Sequence, residues 1–302
     1  MFRFRLAAVA AVTVLVCGCS PKRIGMSRMA DALAATATTY RSDNDIELVR
    51  AAAPSTLKLV EMMLDQAPDH SGLLSTACSG FAQYSYGFLQ LDSEIAEASA
   101  PAAAAELKTR AARMYERARS YCLREVETRH RGFRGELAKD ATAALSRTKS
   151  TDVPSLFWLG IAWGGELSVA ANQLMRLPEL VSVRLVLNRA LELNEAWERG
   201  AIHEAMIAFD GMPALLGGSV ARANRHFERA VALSEGQSAF AYVTMASSVS
   251  LPARDRAGFE RHLKAALAID VNRDPSIRLA NLLAQRRARH LLSRVGTLFA
   301  SR

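Results

Sequence analysis

Residues 221–233 read ARANRHFERAVAL, and the spacing within this stretch predicts the fold. Ala223 is followed four positions later by Phe227 and three positions after that by Ala230. On an α-helix these offsets place all three side chains on one face. The small side chains allow a neighbouring helix to approach closely, and the large one fills the groove between the two helices. We therefore expect a helix that packs tightly against a partner helix.

The same spacing recurs along the chain. The copies are Ala111-Tyr115-Ala118, Val183-Leu187-Ala190, Phe259-Leu263-Ala266 and, more loosely, Thr56-Val60-Met63. Chance triplets in an alanine-rich helical chain are the alternative explanation. However, Ala190, Ala230 and Ala266 are separated by 40 and 36 residues, close to the tetratricopeptide period of roughly 34 residues. Because no stretch alternates as a strand does, the sequence predicts an all-α fold, a tetratricopeptide-like helical-repeat superhelix.

The N-terminus has the pattern of a secretory signal. Arg3 and Arg5 precede an apolar run over residues 6–16, which is too short to span a bilayer. The run ends in Val-Cys-Gly-Cys, which resembles the bacterial lipobox with Gly18 before the acylated cysteine, Cys19. The alternative is a plain secretory signal in which Cys19 has no role.

Cleavage at the lipobox divides the chain into three parts. Residues 1–18 form a lipoprotein signal peptide, 19–40 a lipidated N-terminus and tether, and 41–302 the helical-repeat domain. Lipid on Cys19 would anchor the protein to a membrane, because each buried CH₂ contributes about 0.8 kcal/mol. Serine rather than aspartate follows this cysteine, which indicates the outer membrane, facing the periplasm.

The composition excludes several classes of protein. The 302 residues are 50% hydrophobic and 23% charged, as in ordinary globular proteins, and the formal charge of +8 is spread along the chain. We expect no nucleic-acid partner, because the excess charge forms no basic tract. We expect no metal and no cofactor, because no second cysteine or histidine pair stands at zinc spacing and no phosphate-binding loop occurs. Cys78 and Cys122 are expected to be packed as small hydrophobes, and a disulfide between them is left open.

Three segments carry more than a helix scaffold requires. They are GFAQYSYGFLQ (80–90), FWLGIAWGGE (157–166) and GAIHEAMIAFDGMPALLGG (200–218). Taken singly, each has an ordinary structural explanation, namely core aromatic residues, glycines at close helix contacts, or a satisfied histidine. Together they fall in the first helices of their pairs, which line the concave side of a repeat superhelix. The candidate lining residues of a ligand or partner groove are Tyr84, Phe88, Trp158, Trp163, His203 and Glu204.

These segments also carry a resemblance to a known family. The order of GFAQYSYGFLQ (80–90), FWLGIAWGG (157–165), RALELNEAWERGAIHEAMIA (189–208) and RLANLLAQRRARHLL (278–292) resembles the T component (TatT) family of TRAP-transporter-associated lipoproteins. TRAP denotes the tripartite ATP-independent periplasmic transporters. The resemblance implies a periplasm-facing lipoprotein with cryptic tetratricopeptide-like repeats, self-association, a hydrophobic pore, and docking of an extracytoplasmic solute-binding protein on the concave surface.

The resulting functional hypothesis is a lipid-anchored accessory protein of TRAP transport without catalysis of its own. Its expected partners are a TRAP-type solute-binding protein, the membrane through the lipid anchor, a hydrophobic small molecule and further copies of the chain. The first alternative is a general envelope scaffold, which predicts a polar groove for extended peptides. The second is an enzyme that uses His203 and Glu204. These two do not form a metalloprotease HExxH motif, because position 207 is isoleucine.

Overall fold

The chain is built from helices throughout the part that its computed structural model describes, namely Arg28 and residues 31–33, 37–170 and 176–300. None of these residues forms a β-strand, which confirms the predicted all-α class. The predicted signal peptide and Cys19 lie outside the described residues. Among the helices that are described, none combines the length and apolar character that a membrane span needs.

The helices follow one another through short connections. From residue 37 onward they are α1 (Ala37–Arg41), α2 (Ile46–Gln66), α3 (Ser71–Tyr84), α4 (Leu91–Ala96), α5 (Pro101–Arg129), α6 (Phe133–Lys139), α7 (Ala141–Ser146), α8 (Val153–Val169), α9 (Glu179–Leu193), α10 (Ala201–Asp210), α11 (Val220–Leu233), α12 (Ala239–Met245), α13 (Arg256–Leu267), α14 (Arg278–Ser293) and α15 (Val295–Leu298). Two π-helical turns extend α3 and α12. Ser85–Gln90 joins α3 to α4, and Ala246–Ser250 follows α12.

Local sequence explains several helix ends. Asp45 caps α2 by accepting the amide hydrogens of Glu47 and Leu48. Pro101 occupies the first turn of α5, where a missing amide hydrogen costs nothing. Pro54 lies inside the 21-residue α2, although proline usually breaks a helix, so the sequence signal alone would end this helix too early.

Helices that are close in the sequence pack in pairs. The pairs are α3 with α5, α8 with α9, α10 with α11, and α12 with α13, and α14 packs against both helices of the last pair. In every copy of the small–large–small spacing on α5, α9 and α13, all three side chains are almost completely buried. In α11, Ala223 and Ala230 are fully buried and Phe227 partly so. The predicted contact face is therefore the packing face, which is compatible with the repeat interpretation.

The glycines of α8 receive the large residues of these spacings. A Cβ on Gly165 would lie 2.5 Å from Cε1 of Tyr115, and one on Gly160 would lie 2.5 Å from Cδ2 of Leu187. Tyr115 belongs to α5 and Leu187 to α9, so α8 accepts a bulky side chain from the helix on each side. The glycine-rich sequence of α8 thus serves close packing on two sides.

Cys78 of α3 and Cys122 of α5 form a disulfide, and both residues are fully buried. The expectation of two separately packed thiols is wrong because the packing of α3 on α5 brings the two Cα atoms to 4.8 Å. Sequence could not show this proximity, since 44 positions separate the two cysteines. Disulfides persist in oxidising compartments such as the bacterial periplasm.

The end of the chain packs against its beginning. Phe88 and Leu91 share one buried cluster with Val49 of α2 and with Leu279 and Leu283 of α14. Ion pairs join the same elements, because Arg286 pairs with Asp92 at 2.8 Å and Arg287 pairs with Glu94 at 2.9 Å. The helix pairs therefore form a closed arrangement in which α14 contacts the turn and helix that follow α3.

Candidate functional site

The first π-helical turn, Ser85–Gln90, places aromatic residues on two sides of the helix that continues α3. Tyr84 and Phe88 contact each other with ring centroids 5.6 Å apart. Phe88 is 4% exposed and lies in the cluster between α2 and α14, with the Arg50 guanidinium over its ring. Tyr84 is only partly buried. Phe88 therefore contributes to closure of the fold, and Tyr84 keeps surface that a ligand could contact.

Tyr86 faces the opposite direction, toward the last helix pair. Its ring centroid lies 5.2 Å from that of Phe240 on α12. Burial raises the pKa of the Tyr86 hydroxyl. This contact joins the turn that extends α3 to α12, the first helix of the last pair.

Arg287 lies between the two π-helical turns. Its Nε donates to both carboxylate oxygens of Glu94, at 3.2 and 2.9 Å, and its Nη1 donates to Oγ of Ser247 at 3.5 Å. Burial alone would lower the pKa of Arg287, but Tyr86 and Glu94 outweigh burial and raise it. Tyr86 and Arg287 are enclosed by protein atoms yet keep accessible surface. Both side chains are therefore held by protein contacts and remain partly accessible.

The two tryptophans of α8 point to different neighbours. Trp158 makes an edge contact with Phe157, with ring centroids 5.0 Å apart, and is partly buried. Trp163 donates from Nε1 to Oε2 of Glu179 at 2.6 Å, and the Arg119 guanidinium lies 5.4 Å from its ring centroid. The pKa of Glu179 is lowered mainly by its contact with Arg176 and to a smaller extent by this hydrogen bond. Trp163 is thus fixed by charged partners.

An apolar cavity of about 320 Å³, open to solvent on one side, lies between α8, α9, α10 and the loop 211–218. The volume is at the lower end of the range of about 300–1,000 Å³ that is typical of ligand sites. Its apolar lining residues are Leu167, Leu177, Leu180, Ala208, Phe209, Met212 and Leu216. Ser168 and Arg176 provide the polar groups, and Arg176 also binds Glu179, the acceptor of Trp163. The Gly- and Met-rich loop that stands out in the sequence therefore forms one wall of a cavity.

His203 and Glu204 are consecutive on α10 but face different helices. His203 is 6% exposed, and its Nδ1 lies 2.8 Å from Nδ1 of His226 on α11. Glu204 points toward α12, where Ser238 is its hydrogen-bond partner. The carboxyl keeps some accessible surface, but protein atoms surround it and this burial raises its pKa to about 7. The two side chains do not share one site, as a catalytic pair would require.

Comparison with known proteins places this architecture in a family. The family model described as TRAP transporter T-component matches residues 42–299. The chain belongs to the TRAP transporter T-component family. A protein of Treponema pallidum (strain Nichols), whose printed description is "Uncharacterized protein", is 28% identical to it over 98% of each chain.

Membership confirms the predicted family. It assigns the T-component an accessory role in TRAP transport and thus associates it with the transport machinery of the cell envelope. The family description names a transporter component rather than an enzyme. Among the described residues, no group of three or more histidine, cysteine or acidic side chains could hold a metal ion.

The contacts described for the six candidate residues do not test whether they line one groove in the T-component. Tyr84 and Phe88 contact each other, whereas the two tryptophans and the pair His203 and Glu204 each have separate surroundings, so a shared groove stays a prediction. Sequence reasoning missed Tyr86, Arg287 and His226. Tyr84 and Tyr86, at alternate positions before Phe88, offered a signal for the first. The other two lie in polar stretches of their helices, and nothing in the local sequence distinguishes them from solvated residues.

Proposed function

We propose that this T-component is a lipid-anchored protein of the periplasm that binds an extracytoplasmic solute-binding protein and an apolar ligand. Family membership over residues 42–299 supports the transport role. The apolar cavity beside Trp163 supports ligand binding, and it is the observation on which this part of the proposal rests. Cys19 would carry the lipid, and the residues that follow it would tether the helical domain to the outer membrane.

The cavity favours a neutral or largely apolar molecule. Apart from Ser168 and Arg176, its lining has aliphatic or aromatic side chains or glycine. The guanidinium of Arg176 is already held by Glu166 at 2.6 Å and by both carboxylate oxygens of Glu179. A charged ligand would therefore find no unpaired counter-ion in this cavity. Burial of apolar ligand surface would contribute about 25 cal/mol for each Å² removed from water.

A matched pair of tryptophan substitutions tests the ligand site. Leu180 lines the cavity, whereas its neighbour Val181 is 64% exposed. Leu180→Trp should fill the space and abolish saturable binding of a neutral probe, N-phenyl-1-naphthylamine, measured by fluorescence. Val181→Trp should bind as the wild type does. Equal binding by both variants, or none by the folded wild type, would remove this cavity from the proposal.

The partner is tested separately by titrating the T-component with a purified TRAP-type solute-binding protein of the same organism. A saturable signal in calorimetry, absent with an unrelated periplasmic binding protein, is expected. Binding to extended peptides of assembly or cell-wall proteins, with none to the solute-binding protein, would favour the envelope scaffold. The same samples in sedimentation experiments would show whether the chain self-associates.

A further inference from the structure

Two histidines of the third helix pair form a chain with two carboxylates. Nδ1 of His203 faces Nδ1 of His226 at 2.8 Å, with ring centroids 5.0 Å apart. The outer nitrogens face acids, since Nε2 of His203 lies 3.4 Å from Glu195 and Nε2 of His226 lies 3.6 Å from Asp210. The order along the chain is carboxylate, imidazole, imidazole, carboxylate.

Only one hydrogen fits between two ring nitrogens at this separation. One Nδ1 must donate and the other must accept, so the accepting ring cannot be an imidazolium, which carries hydrogen on both nitrogens. One added proton is still compatible with the chain, because the donating ring can then carry it on Nε2, which faces a carboxylate at 3.4 or 3.6 Å. A second added proton is not, since two N–H groups would point at each other.

We propose that His203 and His226 form a shared-proton site that holds α10 against α11 and releases this contact when both rings become charged. This inference does not depend on the proposed transport function. The site would let the protein respond to acidification of the periplasm, because the ligand that it binds is the proton.

The surroundings keep the site uncharged at neutral pH. Burial is the largest cause that lowers the pKa of each ring, and for His226 the neighbouring His203 adds to it. Glu195 and Asp210 oppose this shift, but both acids are already held by arginines. The charged groups that face the pair are Arg229 on Glu195, Arg184 and Arg222 on Asp210, and Arg225 beside His226.

The position of the pair makes its opening consequential. Ile202 and Met206, on either side of His203, belong to the large core that includes α8 and α9. Ile207 belongs to a second core, which it shares with Ala223 and Ala230 of α11. Separation of the two rings would therefore loosen the packing of Ile207 against α11, and α10 also carries the contacts of Ile202 and Met206 with the second pair.

The sign of the pH dependence follows from proton binding. The open form has two free imidazoles with pKa near 6.5, and the closed form binds fewer protons. The contact is fully stable above about pH 6.5 and is lost as the pH falls below it. Opening should become about tenfold more frequent for each pH unit and each proton that it takes up.

Nitrogen-15 NMR of the histidine-labelled full chain, together with amide hydrogen exchange of α10 and α11, tests the proposal. The two rings should titrate as a coupled pair, and in His203→Gln the pKa of His226 should rise because a neighbouring imidazole is lost. His226→Gln should flatten the pH dependence of exchange in both helices. The control His290→Gln, on α14, should leave that dependence as in the wild type.

Two results would overturn the shared-proton site. One is independent titration of both rings, each unchanged by removal of the other. The second is amide exchange in α10 and α11 whose dependence on pH is the same in wild type and His226→Gln. If a variant does not fold, the coupled titration of the wild type alone decides the question.

Discussion

The buried carboxyl of Glu204 allows a sharp prediction, because its pKa of about 7 lies well above that of a free glutamate. An acid whose pKa is raised on folding binds its proton more tightly in the folded state. Its effect on stability is absent below the unfolded pKa near 4.5 and grows unfavourably until the pH passes the folded value. At about 1.4 kcal/mol for each tenfold change in proton affinity, the full difference is about 3 kcal/mol.

Glu204→Gln removes the charge and keeps the shape. Solvent still reaches part of this carboxyl and screens it, so we expect a gain of about 2 kcal/mol at pH 8 and less than about 1 kcal/mol at pH 5. Urea unfolding of both proteins at the two pH values measures it. Glu228→Gln, an exposed substitution on α11, should change stability by less than about 0.5 kcal/mol at either pH. An equal effect of Glu204→Gln at both pH values would refute the reasoning.

Three further changes test the packing and the anchor. Reduction of the disulfide, which closes a loop of 44 positions, should lower the free energy of unfolding by about 4 kcal/mol. Urea titration with and without reductant measures this difference. An unchanged free energy would show that the disulfide does not stabilise the fold by restricting the unfolded chain. Gly165→Ala should cost about 1–3 kcal/mol because Tyr115 must move, whereas Gly135→Ala, with open space at its Cβ, should stabilise its helix by about 0.5–1 kcal/mol; thermal unfolding compares the two. Cys19→Ser should abolish labelling by radioactive palmitate and release the protein from membranes, and retained labelling would place the lipid elsewhere.

The helical fold was predictable from side-chain spacing, because burial of one helix face imposes a period on the sequence. The triplets on α5, α9 and α13 were identified in this way, and each is buried as expected. The glycines of α8 fit the same logic once their partners are known. Pro54 shows the limit of local signals, since the packing of a long helix tolerated a residue that usually ends one.

The candidate site was less predictable because it depends on which distant elements meet. Phe88 and Tyr86 lie two positions apart, yet one is buried against α14 and the other contacts α12. Residues two positions apart point to opposite sides of a helix, so the local spacing predicts the divergence, but it does not show which distant helix each side meets. The pairing of His203 with His226 and of Cys78 with Cys122 likewise required the tertiary arrangement.

The contact between α14 and the first pair changes how the protein must be made. An open array of repeats can gain or lose a terminal unit while the others keep their structure. Here Leu279 and Leu283 cover Phe88 and Leu91, which precede them by almost two hundred positions, so these residues have an uncovered apolar surface until α14 has been synthesised. A chain exported to the periplasm would therefore need protection from aggregation until its final residues emerge. Deletion of α14 should therefore destabilise the packing around Phe88 and Leu91, near the opposite end of the sequence.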